Sequence, residues 1–585
     1  MTTDVVGARR SARVAPVVPR AGGAAMLFSV CLLGYGLLGY LLTAQFNLID
    51  GDGPSRVANA GYTILSRNPH LGAMGFVWNP LPSLVELPLL GFSHWWPELK
   101  TLGLAAVIQS ALFMAGAAVG VRRIAFDRDV PRLGRWAAVA AFAANPMIVQ
   151  YGAVGLSEAA LIFCVVWSVR YLLLWVQSGA ATSLAWSGLA LGFGYLARYE
   201  ALPAVAGGAA FVLLLAAYRA CDPSRLGRVS TWRKALPSGI QAAVLFCFPA
   251  MGAFLLWTIS SWLLTGDALP QFTSQYGNGT QMATAESAGA GLLEGKATID
   301  SIAARVFGME PLLPVVVVAA GWYAFRRRRV DIFAPLAVCG GVLAFQAAAQ
   351  YTGMTFGWFR FYILVVPMTV IAAMTLWEPL RSREIGGSMR ACASSVAASA
   401  LMVATLVSSI PVTWHSMLDP AIGDQGPQQG LRSMVWPDRY PPQENSLFQA
   451  FQDDRNIARW LDNQNLPPSS VLSDTFQSWG IWLASGRPRQ FVITSDFDFA
   501  RALNAPHEFG IRFILVSDPV ADGAADAVNR RYPTLWSDGA GLGELQLTVT
   551  GPVDNRGGRS TGSMGDACVR RPIPSGVDRA PRHRR

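Results

Sequence analysis

Charge is scarce in this chain of 585 residues: Asp, Glu, Lys and Arg make up 14% of it, while 52% is hydrophobic. Soluble domains carry about a quarter charged residues, so the composition excludes an ordinary water-soluble globule. Cysteine is scarce too. Six of the seven cysteines (Cys31, Cys164, Cys221, Cys247, Cys339, Cys392) lie in apolar runs or beside basic loops, and Cys568 stands alone near the C-terminus. That spacing suggests neither a disulfide framework nor a zinc site. No internal repeat is visible, and the polar C-terminal region holds no nucleophile, metal or phosphate-loop constellation. The net charge of +10 does not call for nucleic acid, because the arginines sit mostly in short loops between apolar runs and in the C-terminal tail. A membrane accounts for them better.

What is abundant is the apolar run long enough to cross a bilayer, about 20 residues. Candidate spans cover roughly 24–46, 101–121, 136–150, 159–177, 184–198, 201–218, 242–264, 311–325, 332–349, 358–377 and 391–410. The first follows a basic leader (Arg9, Arg10, Arg13, Arg20) and is too long for a signal-peptide core, so it reads as a permanent span. One set of alternate loops holds the leader, Arg122/Arg123/Arg128/Arg132/Arg135, Arg219/Arg225/Arg228/Arg233/Lys234, Arg326 to Arg329 and Arg381/Arg383/Arg390, and the other set is nearly bare. Cytoplasmic loops carry the Lys/Arg excess. The expectation is therefore a multi-pass α-helical protein of the cytoplasmic membrane with about 11 spans, its N-terminus cytoplasmic and its C-terminal region outside.

After Pro411 the composition turns polar, and short β-type runs at Ser469, Gln490, Arg512 and Leu545 alternate with helical ones such as 453–463. The domain plan is a basic leader (1–23), a transmembrane domain (24–413) with a first outer loop (47–100), a small extracytoplasmic α/β domain (414–550) and a disordered basic tail (551–585). Trp479, Trp482 and Trp536 in the α/β domain read as core residues ahead of sugar-stacking ones. Trp78, Trp95 and Trp96 of the outer loop read as anchors at the membrane interface.

The segment "NLIDGDGPSRVANA" from Asn47 sets Asp50, Asp52 and Arg56 at the edge of the first span. Pro54 suits a first helical turn, so a short helix is expected to start near Gly53, its N-terminus and Arg56 favouring a phosphate. Asp50 and Asp52 would lie just before it, where one could act as a base on an acceptor hydroxyl or both could hold a divalent cation. The plainer alternative is that Asp52 caps the helix and Arg56 anchors to lipid headgroups. "DGD" also matches the metal-binding DxD of nucleotide-sugar glycosyltransferases, without the nucleotide-binding domain that motif needs. Asn278 in "NGT" matches a glycosylation sequon of the kind that arises often by chance.

Together with that loop, "SRNPHLGAMGFVWNPLPSLVELPLL" from Ser66, "NPMIVQYGAVGLSE" from Asn145, "ARYEALP" from Ala197 and "WFRFYILVVP" from Trp358 resemble the GT-C membrane glycosyltransferases. The similarity is to bacterial relatives of protein O-mannosyltransferases and aminoarabinose transferases, over about 24–410. The resemblance implies a GT-C-like fold, a polyprenyl-phosphate-linked sugar as donor, mannose by default, an envelope glycan, lipid or protein as acceptor, and an acid of the first outer loop as base. That base is Asp52 first and Asp50 second, since "DGDG" stands where many protein mannosyltransferases have adjacent acids. Arg56, Arg198 and Arg360 are the cations assigned to the donor phosphate, because charges at span ends are costly unless paired or functional. A simple Arg198–Glu200 salt bridge and headgroup contact by Arg360 are the plainer alternatives. His70, Glu158 and Glu200 are candidates for donor or acceptor contact, and Asp50, Asp52 and Glu158 for a divalent cation. A transporter or lipid flippase is the second reading, but it usually shows repeats and midplane polar breaks. A sensor or assembly scaffold that binds envelope components through its outer domain is the third.

Overall fold

The computed structural model describes residues 21–48, 50–221, 229–274, 276–277, 280, 298–377, 389–424, 427–444, 446–519, 521–549 and 567–572. The leader, Asn278 and most of the C-terminal tail lie outside these residues. Helices dominate. Among the described residues seven are long and apolar enough to cross a membrane: 22–45, 104–127, 158–178, 201–220, 232–265, 333–351 and 395–418. An eighth span is possible in the pair Ile299–Met309 and Leu313–Arg327, which meet at 78°.

About eleven spans were expected, and two of those runs are broken for local reasons. The run 136–150 is two short helices, α6 (Arg132–Ala143) and α7 (Pro146–Ala153), because the Asn145 side chain accepts the Met147 N–H at 3.0 Å and Pro146 restarts the helix. The run 358–377 divides into a short turn, Phe359–Tyr362, and a ten-residue helix, Val365–Met374. At 1.5 Å per residue that helix is about 15 Å long, half the hydrocarbon thickness, and all ten residues are buried in the bundle. The expected run 184–198 is one continuous helix, α9 (Ala181–Ala197), 17 residues long.

The first span, α1 (Ala21–Tyr40), ends in a π turn. After it, α2 (Asp52–Ile64), α3 (Leu81–Leu90) and α4 (Glu98–Thr101) form the first loop. Next come α5 (Leu104–Asp127) and α8 (Glu158–Ser178), whose apolar lengths are mostly buried and make the centre of the bundle. α10 (Ala201–Ala220) and α11 (Val229–Thr265) lie at its side. Close approach is bought by glycine: a Cβ on Gly192 of α9 would stand 3.0 Å from the Pro249 carbonyl oxygen of α11.

The polar C-terminal region folds as the expected α/β domain. Its sheet has the order β2-β1-β3-β5-β4, with β1 (Val471–Ser473), β2 (Phe491–Ile493) and β3 (Phe513–Ser517) parallel, and β4 (Gly543–Val549) and β5 (Ala567–Pro572) antiparallel. All four expected strands are present. The fifth corrects the plan, since residues 567–572 of the tail expected to be disordered pair between β3 and β4 (Ile514 opposite Arg570, Leu545 opposite Arg570). Trp479 and Trp482 are core residues, 5% and 0% exposed, and Trp536 packs against the second face of the sheet.

At the opposite end of the bundle, Arg128 is buried and its Nε donates to the Met374 carbonyl at 2.9 Å. Its Nη2 meets Asp331 at 2.8 Å and the Trp377 carbonyl at 3.1 Å, so one side chain closes the Val365–Met374 helix. Removing one partner of a buried ion pair costs about 3–5 kcal/mol. Arg128→Met should therefore lower the stability of the detergent-solubilised protein by about 3 kcal/mol, read by thermal or denaturant melting. A melting curve unchanged from wild type would refute the assignment.

Candidate active site

The turn leading out of α1 depends on Asn47, which takes a left-handed φ of 50°. The next residues form a tight turn in which Asp50 Oδ1 accepts the Asp52 N–H at 3.1 Å and the Asp50 carbonyl accepts the Gly53 N–H at 3.2 Å. α2 then starts at Asp52, one residue before the expected start, with Pro54 in its first turn where a missing N–H costs nothing. Asp52 and Arg56 are four apart and share one side of this helix.

Arg360 reaches them from a segment 308 and 310 residues away in sequence. Its Nη1 lies 2.8 Å from Asp50 Oδ2, its Nη2 2.8 Å from Asp52 Oδ2, and its Nε 3.6 Å from Glu158 Oε1. Glu158 opens α8 and also takes Arg198 Nη1 at 2.8 Å. Arg198 in turn holds Glu200 at 2.5 Å. Arg56 and Arg198 both donate to the Ser157 hydroxyl, at 3.3 and 3.2 Å. The three arginines and four carboxylates singled out in the sequence thus form one continuous cluster. The Arg198–Glu200 bridge exists, but as one link of it.

Burial within the cluster is uneven. The Asp50 side chain is 12% exposed and both its oxygens are engaged, whereas Asp52 is 36% exposed with one oxygen on Arg360. Burial and the neighbouring Asp52 charge push the Asp50 carboxyl up to about 7, against the pull of Arg360. Burial is also the largest influence on Arg56, lowering it to about 10. Two guanidinium donors, Arg56 Nε and Arg360 Nε, are buried and find no hydrogen-bond acceptor among the described residues. Buried unpaired donors are costly unless something else accepts from them.

Several contributors were not seen in the sequence. Asp424, just past the last membrane helix, accepts the backbone N–H groups of Phe359 at 2.5 Å and Arg360 at 3.2 Å and the Tyr151 hydroxyl at 3.1 Å, which fixes where the Arg360 side chain begins. Trp358 lies 4.1 Å under the Arg360 guanidinium and Trp78 4.2 Å under that of Arg56. Trp78, read as an interface anchor, instead stacks on a site cation; Trp95 and Trp96 are exposed. Glu86 of α3 is wholly buried near Arg56, both its oxygens lack a hydrogen bond among the described residues, and burial pushes its carboxyl up to about 8. The sequence signal for Glu86 would have been a lone acid in the apolar run "LPSLVELPLL", whereas Asp424 lies in the polar stretch "DPAIGDQGPQQG" and carries no such signal.

Two expectations are placed differently. His70 donates to the Asn68 carbonyl of its own loop at 2.7 Å, and its ring stacks on Phe497 of the C-terminal domain at 4.3 Å. As for a divalent cation at Asp50, Asp52 and Glu158, Arg360 already stands among these three carboxylates. Among the described residues no group of three or more His, Cys, Asp or Glu is arranged to hold a metal ion. The donor set does not fit a metal, and no step below uses one.

No family model matches this chain, and no curated protein matches it. Among solved structures it is similar to ArnT from Cupriavidus metallidurans, bound to undecaprenyl phosphate, with 12% identity and a TM-score of 0.46 over 94% of this chain and 98% of that one. It is also similar to the oligosaccharyltransferase AglB from Archaeoglobus fulgidus in complex with an inhibitory peptide and a dolichol-phosphate (10% identity, TM-score 0.41, 92% of this chain and 74% of that one). TM-scores below 0.5 leave function to be argued from the site itself.

The buried Asp50 carboxyl gives a direct prediction. Infrared difference titration of the intact protein should show a carboxyl component deprotonating near pH 7 that Asp50→Asn removes. Arg360→Met should move that component to higher pH, because the cation that favours the ionised form is gone. A wild-type minus Asp50→Asn difference with no titrating band near neutrality would overturn this picture of the pair.

Proposed function

We propose that the chain is a membrane glycosyltransferase that moves a sugar, mannose by default, from a polyprenyl-phosphate donor to a hydroxyl of an envelope glycan, lipid or protein on the outer face of the cytoplasmic membrane. The observation that carries this reading is that three guanidiniums, two with buried donors lacking an acceptor among the described residues, share one cluster with the partly exposed carboxylate of Asp52, which Arg360 holds at 2.8 Å. Guanidiniums are suited to phosphate oxygens, and a carboxylate beside them is suited to take a proton from an attacking hydroxyl.

In the proposed step Asp52 accepts the acceptor O–H proton as that oxygen bonds to the anomeric carbon from the face opposite the phosphate. The bond from anomeric carbon to phosphate oxygen breaks, its electron pair stays on the phosphate, and the new glycosidic bond has inverted configuration. Arg56, Arg198 and Arg360 stabilise the charge that grows on the departing lipid phosphate. Asp50 works as the buried partner that keeps Arg360 aimed at Asp52. The sugar-nucleotide pool is cytoplasmic, so a site on the outer face needs its sugar carried across on lipid; the arginine-rich loops of the sequence support that sidedness.

The test is transfer of label from radiolabelled polyprenyl-phosphate-mannose, and from a panel of other lipid-linked sugars, into an envelope extract by protein in lipid bilayers. Loss of a general base costs about 10²–10⁴ in rate, so Asp52→Asn should fall into that range while remaining folded and inserted. The wild-type rate should rise from pH 6 to pH 8 as Asp50, the partner that keeps Arg360 aimed at Asp52, loses its proton near 7. Normal transfer by Asp52→Asn would refute the base, and no donor consumption with any lipid-linked sugar would refute the class.

A further inference from the structure

α2 has a second side. While Asp52 and Arg56 face the charged cluster, Val57, Ala58, Ala60 and Tyr62 share a buried core with Phe451, Ile457, Leu461 and Trp482 of the C-terminal domain. The Tyr62 and Trp482 rings meet edge to face at 4.6 Å. A Cβ on Gly61 would stand 2.7 Å from the Trp482 ring, so the helix backbone itself lies against the indole.

Two cations fasten this contact. Lys100, 6% exposed on α4, donates its three N–H bonds to the carbonyls of Trp482 at 2.9 Å, Leu483 at 2.6 Å and Ser485 at 2.8 Å, the C-terminal end of the helix Thr475–Ala484. Those are carbonyls that a helix leaves without partners, and a lysine has three donors and no more. Just beyond the other end of α2, Arg67 pairs with Asp496 at 3.0 Å and also with Asp498. Asp496 is itself fixed by accepting the Ile493 N–H at 3.0 Å at the end of β2. The helix carrying the base is therefore tied at its start to the membrane bundle through Arg360 and along its side and end to the C-terminal domain.

We propose that Lys100 and Arg67 are positioning residues: the C-terminal domain, clamped through them, sets the place of α2 and hence of Asp52 relative to the arginine cluster. This rests on the transferase reading of the site, but the clamp itself is a mechanical statement that can be tested without turnover. A misplacement of about 1 Å at a reacting group can cost ~100-fold in rate, and neither residue lies in the charged cluster.

The experiment compares full-length wild type, Lys100→Met, Arg67→Met and the conservative Arg67→Lys in lipid nanodiscs, by amide hydrogen exchange over residues 52–66 and by kcat and KM with polyprenyl-phosphate-mannose. Expected are faster exchange in α2 for both methionine variants with the spans still protected, kcat lowered about 10–100-fold with donor KM unchanged, and substantial recovery in Arg67→Lys. Unchanged exchange in α2 overturns the clamp. Faster exchange with wild-type kcat overturns the positioning role. Equal loss of protection in the spans marks a general folding defect and also counts against it. If wild type turns over no lipid-linked sugar, the transferase reading fails while the exchange result still decides the clamp.

Discussion

A single guanidinium organises this molecule. Arg360 sits buried among Asp50, Asp52 and Glu158, which come from the first loop and from the start of a central helix. An unpaired cation in such a place would be strongly destabilising, so its three carboxylates, the Trp358 face and the Asp424 clamp on its backbone are one requirement met by five residues. Once that requirement is met, the first loop cannot lie elsewhere, and the short helix after Arg360 is held inside the bundle.

The same constraint gives the cluster its chemistry. Burial first, and the Asp52 charge beside it second, push Asp50 up to about 7 against the pull of Arg360, while Asp52 is the more exposed of the two. Two acids in nearly the same stretch of sequence thereby acquire different characters, one a buried partner of Arg360 and one a partly exposed carboxylate. The arginines are not used up by these pairings. The Nε donors of Arg56 and Arg360 have no hydrogen-bond acceptor among the described residues.

The C-terminal domain belongs to the same mechanical unit. Trp482 lies against α2, Lys100 closes the helix that carries Trp482, and Arg67 fixes the far end of α2 to the loop after β2. Polar and apolar contacts divide the work. The apolar face sets how close the helix lies, and the saturated lysine and the buried Asp496 set its register along the domain.

Sequence by itself determined the solvent the chain folds in, because long uncharged apolar runs have no other home, and it determined the α/β character of the C-terminal region, because strand and helix periodicities are short-range. It also marked Asp50, Asp52, Arg56, Glu158, Arg198, Glu200 and Arg360, since a charge beside an apolar run stands out wherever it occurs. Only the tertiary structure decided how these charges pair, because a contact such as Arg360 to Asp50 spans 310 residues and leaves no local pattern. It likewise decided that Trp78 stacks on Arg56, that His70 turns to Phe497, that residues 567–572 complete the sheet, and that Asp424 and Glu86 stand beside the cluster. Apolar length fixes where a helix can run, whereas the partner of a buried charge is fixed by whichever segment the whole packing brings within about 3 Å of it.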